Sequence, residues 1–143
     1  MSKTQSTMVS LGTVAPAFEL MDVVSGKAVG RDDVFAGADG GGRKGLLVMF
    51  ICVHCPYVKH VEAELARIGK DYEGTIAIVA ISANDVAEYP QDGPEEMKAQ
   101  AERLGFRFPY LYDETQEVAR AYEAACTPDF FLFDGDLKLV YRG

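Results

Sequence analysis

Basic residues never cluster in this 143-residue sequence. Its 14 lysines and arginines are scattered among 22 aspartates and glutamates, for a formal charge of -8, so a phosphate backbone would be repelled and nucleic acid is excluded as a partner. No apolar stretch reaches membrane-spanning length, and the polar residues Met1 to Ser10 hold no apolar core of the kind a secretory signal needs. A cytoplasmic chain that meets no membrane is the expectation. Cysteine is scarce, at three residues. In a reducing compartment such thiols serve reactivity or metal binding more readily than stapling, and a chain of this length buries about 68–70% of its unfolded surface without them. No internal repeat is present.

The remaining composition, 48% apolar and 25% charged, is that of one globular domain. Residues 1–10 read as a disordered lead and residues 11–143 as a single domain. Phe18, Leu20 and Val29 around the turn at Ser25-Gly26-Lys27 predict a small hairpin, and Asp32 to Ala36 one helical turn. The glycine-rich stretch from Gly37 to Gly45 lacks the Gly-Lys-Ser/Thr ending of a phosphate loop and precedes a strand, so it reads as a surface loop. Leu46 to Ile51 is a continuous apolar run, as in a central strand buried on both faces. Val58, Val61, Leu65, Ile68 and Tyr72 recur at three- and four-residue steps and predict an amphipathic helix. Thr75 to Ser82 is a second buried strand, joined to the first through that helix in a right-handed crossover. A helix from Pro94 to Leu104 stopped by Gly105, an extended piece over Phe108 to Tyr112, a helix over Thr115 to Ala124 and a hairpin over Asp129 to Tyr141 complete the chain.

Between the first strand and its helix stands Cys52-Val53-His54-Cys55-Pro56. A Cys-x-x-Cys pair at a strand-to-helix junction is a redox or metal device. The helix N-terminus favours an anion, which predicts an exposed Cys52 with a lowered pKa. Pro56 falls in the first turn, where a missing amide costs little. His60 lies on the polar helix face and reads as a plain surface residue. Asn84, Asp85 and Asp92 read as loop and cap residues first and as site residues only second. Tyr57, Tyr89, Phe108, Tyr110 and Phe130 divide between core and an apolar surround for a substrate.

Taken together, Ala15-Pro16-x-Phe18-x-Leu20, Cys52-x-His54-Cys55-Pro56-Tyr57-Val58-Lys59, Ser82-Ala83-Asn84-Asp85, Tyr89-Pro90, Phe108 to Glu114 and Cys126-Thr127-Pro128-Asp129 resemble the peroxiredoxin-like branch of the alkyl hydroperoxide reductase and thiol-specific antioxidant superfamily. The resemblance covers residues 12 to 143. It implies an α/β thioredoxin-like fold: a central mixed sheet flanked by helices, with an N-terminal β-hairpin extension. It also implies a further helix after the final hairpin that this sequence does not hold, so the expectation is either that the sequence stops short or that something else, such as a second subunit, covers one sheet face.

The resemblance also implies a thiol-disulfide oxidoreductase, in which Cys52 attacks a substrate disulfide and Cys55 resolves the mixed disulfide. Its only cofactor would be the redox-active Cys52–Cys55 disulfide. The partners would be a protein or small-molecule disulfide and a thiol reductant. His54, if protonated, would stabilise a thiolate. Thr127-Pro128 is similar to the cis-proline loop that faces the cysteines in this fold, leaving the Thr127 backbone to pair with a bound peptide. Cys126 would then lie near the pair, as packing, redox partner or metal ligand. Two other functions stay open. One is Cu(I) or Zn(II) binding or delivery through Cys52, Cys55 and either Cys126 or a histidine. The other is a peroxidase with antioxidant activity, against which stand Cys52 in place of the expected threonine and the missing arginine beside Thr127-Pro128. Thioredoxins also carry a tryptophan before the first cysteine and a carboxylate on the preceding strand. This chain has neither, so its proton acceptor must come from elsewhere.

Overall fold

The computed structural model describes residues 9–37, 40–83, 90–124 and 127–143. Most of the expected lead, residues 1–8, lies outside them, as do Asn84, Asp85, Tyr89 and Cys126. In chain order the elements are Glu19–Asp22 (β1), Ala28–Gly30 (β2), Arg31–Ala36 (α1), Gly45–Phe50 (β3), Pro56–Tyr72 (α2), Ile76–Ser82 (β4), a 3-10 turn at Pro90–Asp92, Pro94–Leu104 (α3), Tyr110–Tyr112 (β5), Glu117–Ala121 (α4), Asp129–Phe133 (β6) and Leu139–Arg142 (β7). Among the described residues the strands form one mixed sheet in the order β2-β1-β5-β4-β3-β6-β7.

Strand β3 is the axis. It runs parallel to β4, with Leu46 opposite Ala77 and Phe50 opposite Ile81, and antiparallel to β6, with Phe50 opposite Asp129. The two-residue period of a strand sends alternate side chains to opposite faces. Leu46, Val48 and Phe50 join one core with Val79, Ile81, Phe131 and Tyr122. Met49 and Ile51 join the other, with Val58 and Leu65 of α2, Met97 and Ala101 of α3, Tyr110, and both Cys52 and Cys55. Val58 and Leu65 are buried, and each such side chain stabilises the docked helix by roughly 1.5–3 kcal/mol.

Two expected elements are shorter than their sequence pattern. The helix expected over Thr115 to Ala124 is confined to Glu117–Ala121 because Gln116 before it and Glu123 after it take positive φ, 65° and 57°. The extended piece at Phe108 pairs only from Tyr110, which lies opposite Ala80; Pro109 brings no amide to the ladder. The other end of α3 follows its sequence signal, with Pro94 in the first turn and Gly105 in the left-handed C-cap position.

Helix α2 approaches the sheet closely at Gly69, where a β-carbon would meet Phe108 Cδ2 at 2.7 Å and Cε2 at 2.9 Å. Overpacking typically costs about 1–3 kcal/mol, more than the up to about 1 kcal/mol that Gly→Ala gains in helix propensity. Gly69→Ala is therefore expected to lower the denaturant midpoint of unfolding; an unchanged or raised midpoint would show that Phe108 yields freely.

Candidate active site

Ile51 extends the pairing of β3, its amide donating to the Ile81 carbonyl at 3.0 Å, and the chain then turns through Cys52-Val53-His54 into α2. Cys55 caps that helix with extended backbone and Pro56 follows at its first position. The antiparallel register of β3 and β6 brings the residues preceding Asp129 against this turn. Thr127 Oγ1 lies 3.6 Å from Cys52 Sγ, the Cys55 thiol donates to the Thr127 carbonyl at 3.3 Å, and the Thr127–Pro128 peptide bond is cis. Both sulfurs thus converge on one residue of the facing loop. Both cysteines are free thiols and wholly buried.

From the other side comes Asp92, the last residue of the 3-10 turn that precedes α3. It has no exposed surface. Its Oδ1 accepts the amides of Val53 and His54, each at 2.9 Å, and its Oδ2 accepts from His54 Nδ1. One carboxylate therefore holds the backbone between the cysteines and the imidazole on it. Buried amides without an acceptor cost about 1–3 kcal/mol apiece, so this carboxylate defines the shape of the loop.

The electrostatics run against the sequence expectation for Cys52. The site is closed, and burial pushes its thiol up to about 12, with the nearby Asp92 and Cys55 adding to the effect; the Thr127 hydroxyl and the Cys55 amide act the other way without prevailing. The helix-terminus contribution is present, but desolvation in a closed turn is larger. Beneath the pair, burial also pushes the Tyr110 phenol well above its ordinary range. It remains a donor, to Gln100 Oε1 at 2.8 Å, and Gln100 in turn reaches Glu62 at 3.4 Å.

The structure brings Cys52, His54, Cys55, Thr127 and Pro128 together at one end of the sheet. Pro56 is exposed at the helix start, His60 is exposed as its position on the helix suggested, and Cys126 lies outside the described residues. Of the aromatic residues, Tyr110 is core and Phe108 is buried, whereas Tyr57 is 55% exposed beside the cysteines and Phe130 is half-buried. Asp92 is the correction to the sequence reading. The sequence reading ranked its role as a loop and cap residue above a place in the site; it does end the turn before α3, and 37 to 40 positions beyond the cysteines it returns to their turn. The one local signal was an acid directly before Gly93-Pro94, where a helix start fixes its direction.

Residues 11–142 match the AhpC/TSA family. No curated protein sequence matches the chain. Among solved structures it is similar to an uncharacterized conserved protein from Geobacillus kaustophilus, at 54% identity over 96% of this chain and 70% of that one, with a TM-score of 0.90. A hypothetical protein from Sinorhizobium meliloti is 42% identical over 99% of this chain and 74% of that one, with a TM-score of 0.91. The thioredoxin domain of a thiol-disulfide oxidoreductase from Bacteroides vulgatus shares the fold, with a TM-score of 0.73 at 20% identity over 94% of this chain and 89% of that one.

Because the charge of Asp92 raises the Cys52 pKa, Asp92→Asn is expected to lower it and to speed alkylation of Cys52 near neutral pH. Each unit of pKa changes the thiolate fraction about tenfold, so a several-fold rise in labelling rate, followed by mass spectrometry of the Cys52 peptide, is the expected outcome. An unchanged or slower rate would show that the charge of Asp92 does not hold the Cys52 pKa up.

Proposed function

The chain belongs to the AhpC/TSA family, and on that premise we propose that it is a thiol-disulfide oxidoreductase working through Cys52 and Cys55. The observation that carries this reading is the convergence of both sulfurs on Thr127, which sets two thiols three residues apart against one facing loop. Cys52, as thiolate, attacks one sulfur of a substrate disulfide; the old S–S bond breaks, a mixed disulfide forms and the first substrate thiolate leaves and takes a proton. Cys55 then attacks Cys52 Sγ, releasing the second substrate thiol and closing the Cys52–Cys55 disulfide. Two protein thiols are oxidised and one substrate disulfide is reduced. A thiol reductant reverses the change in the protein.

The high pKa of Cys52 makes its proton the obstacle. In this reading the His54–Asp92 pair accepts it: Cys52 Sγ, a ring nitrogen of His54 and a carboxylate oxygen of Asp92 lie within 4.8 Å of one another. A thiolate beside a bare carboxylate is disfavoured, whereas a thiolate beside a protonated His54–Asp92 pair faces one charge fewer. Exposed Tyr57 and half-buried Phe130 offer apolar surface to the groups flanking the substrate disulfide. A peroxidase reading draws less support, since Cys52 stands where that chemistry expects a threonine and no arginine stands beside Thr127-Pro128.

Insulin reduction with a dithiol donor tests the proposal. Cys52→Ser is expected to abolish turnover, and Cys55→Ser to accumulate a mixed disulfide on Cys52 visible by mass spectrometry. Full activity in Cys52→Ser would remove the reading.

A further inference from the structure

Cys52, His54 and Asp92 present three chemically different donors, a sulfur, an imidazole nitrogen and a carboxylate oxygen, within 4.8 Å of one another. Sulfur, nitrogen and oxygen donors in one small cluster suit Zn(II), which binds them at about 2.0–2.3 Å. Two features distinguish the cluster from an ordinary group of polar side chains. Asp92 is fully buried, and its second oxygen is fixed by the Val53 and His54 amides, the kind of supporting contact that orients a ligating carboxylate. His54 keeps 21% of its side chain exposed, so of the three donors it is the one in contact with solvent.

We propose that Cys52, His54 and Asp92 form a zinc site of the reduced protein. The donor set differs from a dithiol site: the Cys55 thiol is engaged by the Thr127 carbonyl, and Asp92 takes the third position. Zinc uptake replaces the Cys52 S–H bond with a Zn–S bond and releases that proton to solvent; the ion takes the place of the Nδ1 proton between His54 and Asp92, which moves to Nε2, with no change of oxidation state. Formation of the Cys52–Cys55 disulfide removes the sulfur donor and expels the ion. Zinc and disulfide are thus alternative occupants, and zinc acts as a reversible brake on the exchange reaction. This regulatory consequence rests on the redox reading above, while binding itself does not.

The test is titration of chelator-stripped protein, kept reduced by a phosphine, with zinc chloride. It is read by calorimetry and by metal analysis after gel filtration. One zinc per chain is expected for the wild type and for Cys55→Ser, and none for the disulfide form. Cys52→Ser, His54→Ala and Asp92→Asn are each expected to weaken binding at least about tenfold. Bound zinc should also protect Cys52 from alkylation. Circular dichroism identifies any variant that has lost its fold; if Asp92→Asn does, Cys52→Ser and His54→Ala decide. Absence of stoichiometric zinc in the reduced wild type, loss of zinc in a folded Cys55→Ser, or wild-type binding in His54→Ala would each overturn the site. Protein that cycles when metal-free but takes up no zinc refutes the site and leaves the redox reading standing. Protein that takes up zinc but never cycles does the reverse.

Discussion

The site depends on one buried carboxylate. Asp92 takes two amides and an imidazole onto its two oxygens and in doing so shapes the turn that presents the cysteines. Its charge also opposes ionisation of Cys52. A group that organises a reactive centre and at the same time restrains it links structure to reactivity more tightly than a helix terminus alone. The turn is held by the same carboxylate whose charge raises the Cys52 pKa, so one group bears on both the geometry and the ionisation of that cysteine.

Sheet register supplies the second constraint. Pairing Phe50 with Asp129 means that the end of β3 and the start of β6 meet, which brings Thr127 opposite the cysteines. A one-residue slip would send every β3 side chain to the other face, splitting the two cores that now separate Phe50 from Met49 and Ile51. Register is therefore enforced by burial, and site geometry follows from it. The Thr127 backbone is not idle in the reduced form: its carbonyl engages Cys55, so a bound peptide has to compete with, or follow the oxidation of, that thiol.

Much of this was legible in the residues. The continuous apolar run of Leu46 to Ile51 marks a strand buried on both faces, the three- and four-residue steps from Val58 to Tyr72 mark α2, and Pro94 with Gly105 brackets α3; local chemistry and tertiary structure agree at each. The pairing of Cys52 and Cys55 with Thr127 and Pro128 was legible through resemblance. What was not legible were quantities set by long-range packing. Burial of Cys52 depends on the facing loop and on α3 as well as on its own helix, and it reversed the direction of a pKa argued from the helix alone. Asp92 belongs to a turn whose neighbours in sequence say only that a helix begins.

The account turns on Cys52 being a proton-bearing thiol in the resting reduced protein. The direct measurement is the pH titration of its β-carbon resonance by NMR, in reduced, metal-free protein labelled with 13C-cysteine. The account predicts that the resonance holds its thiol position from neutral pH through about pH 9, above the ordinary cysteine pKa of about 8.5. A midpoint at or below that ordinary value would contradict it, because Asp92 and burial would then not govern the site.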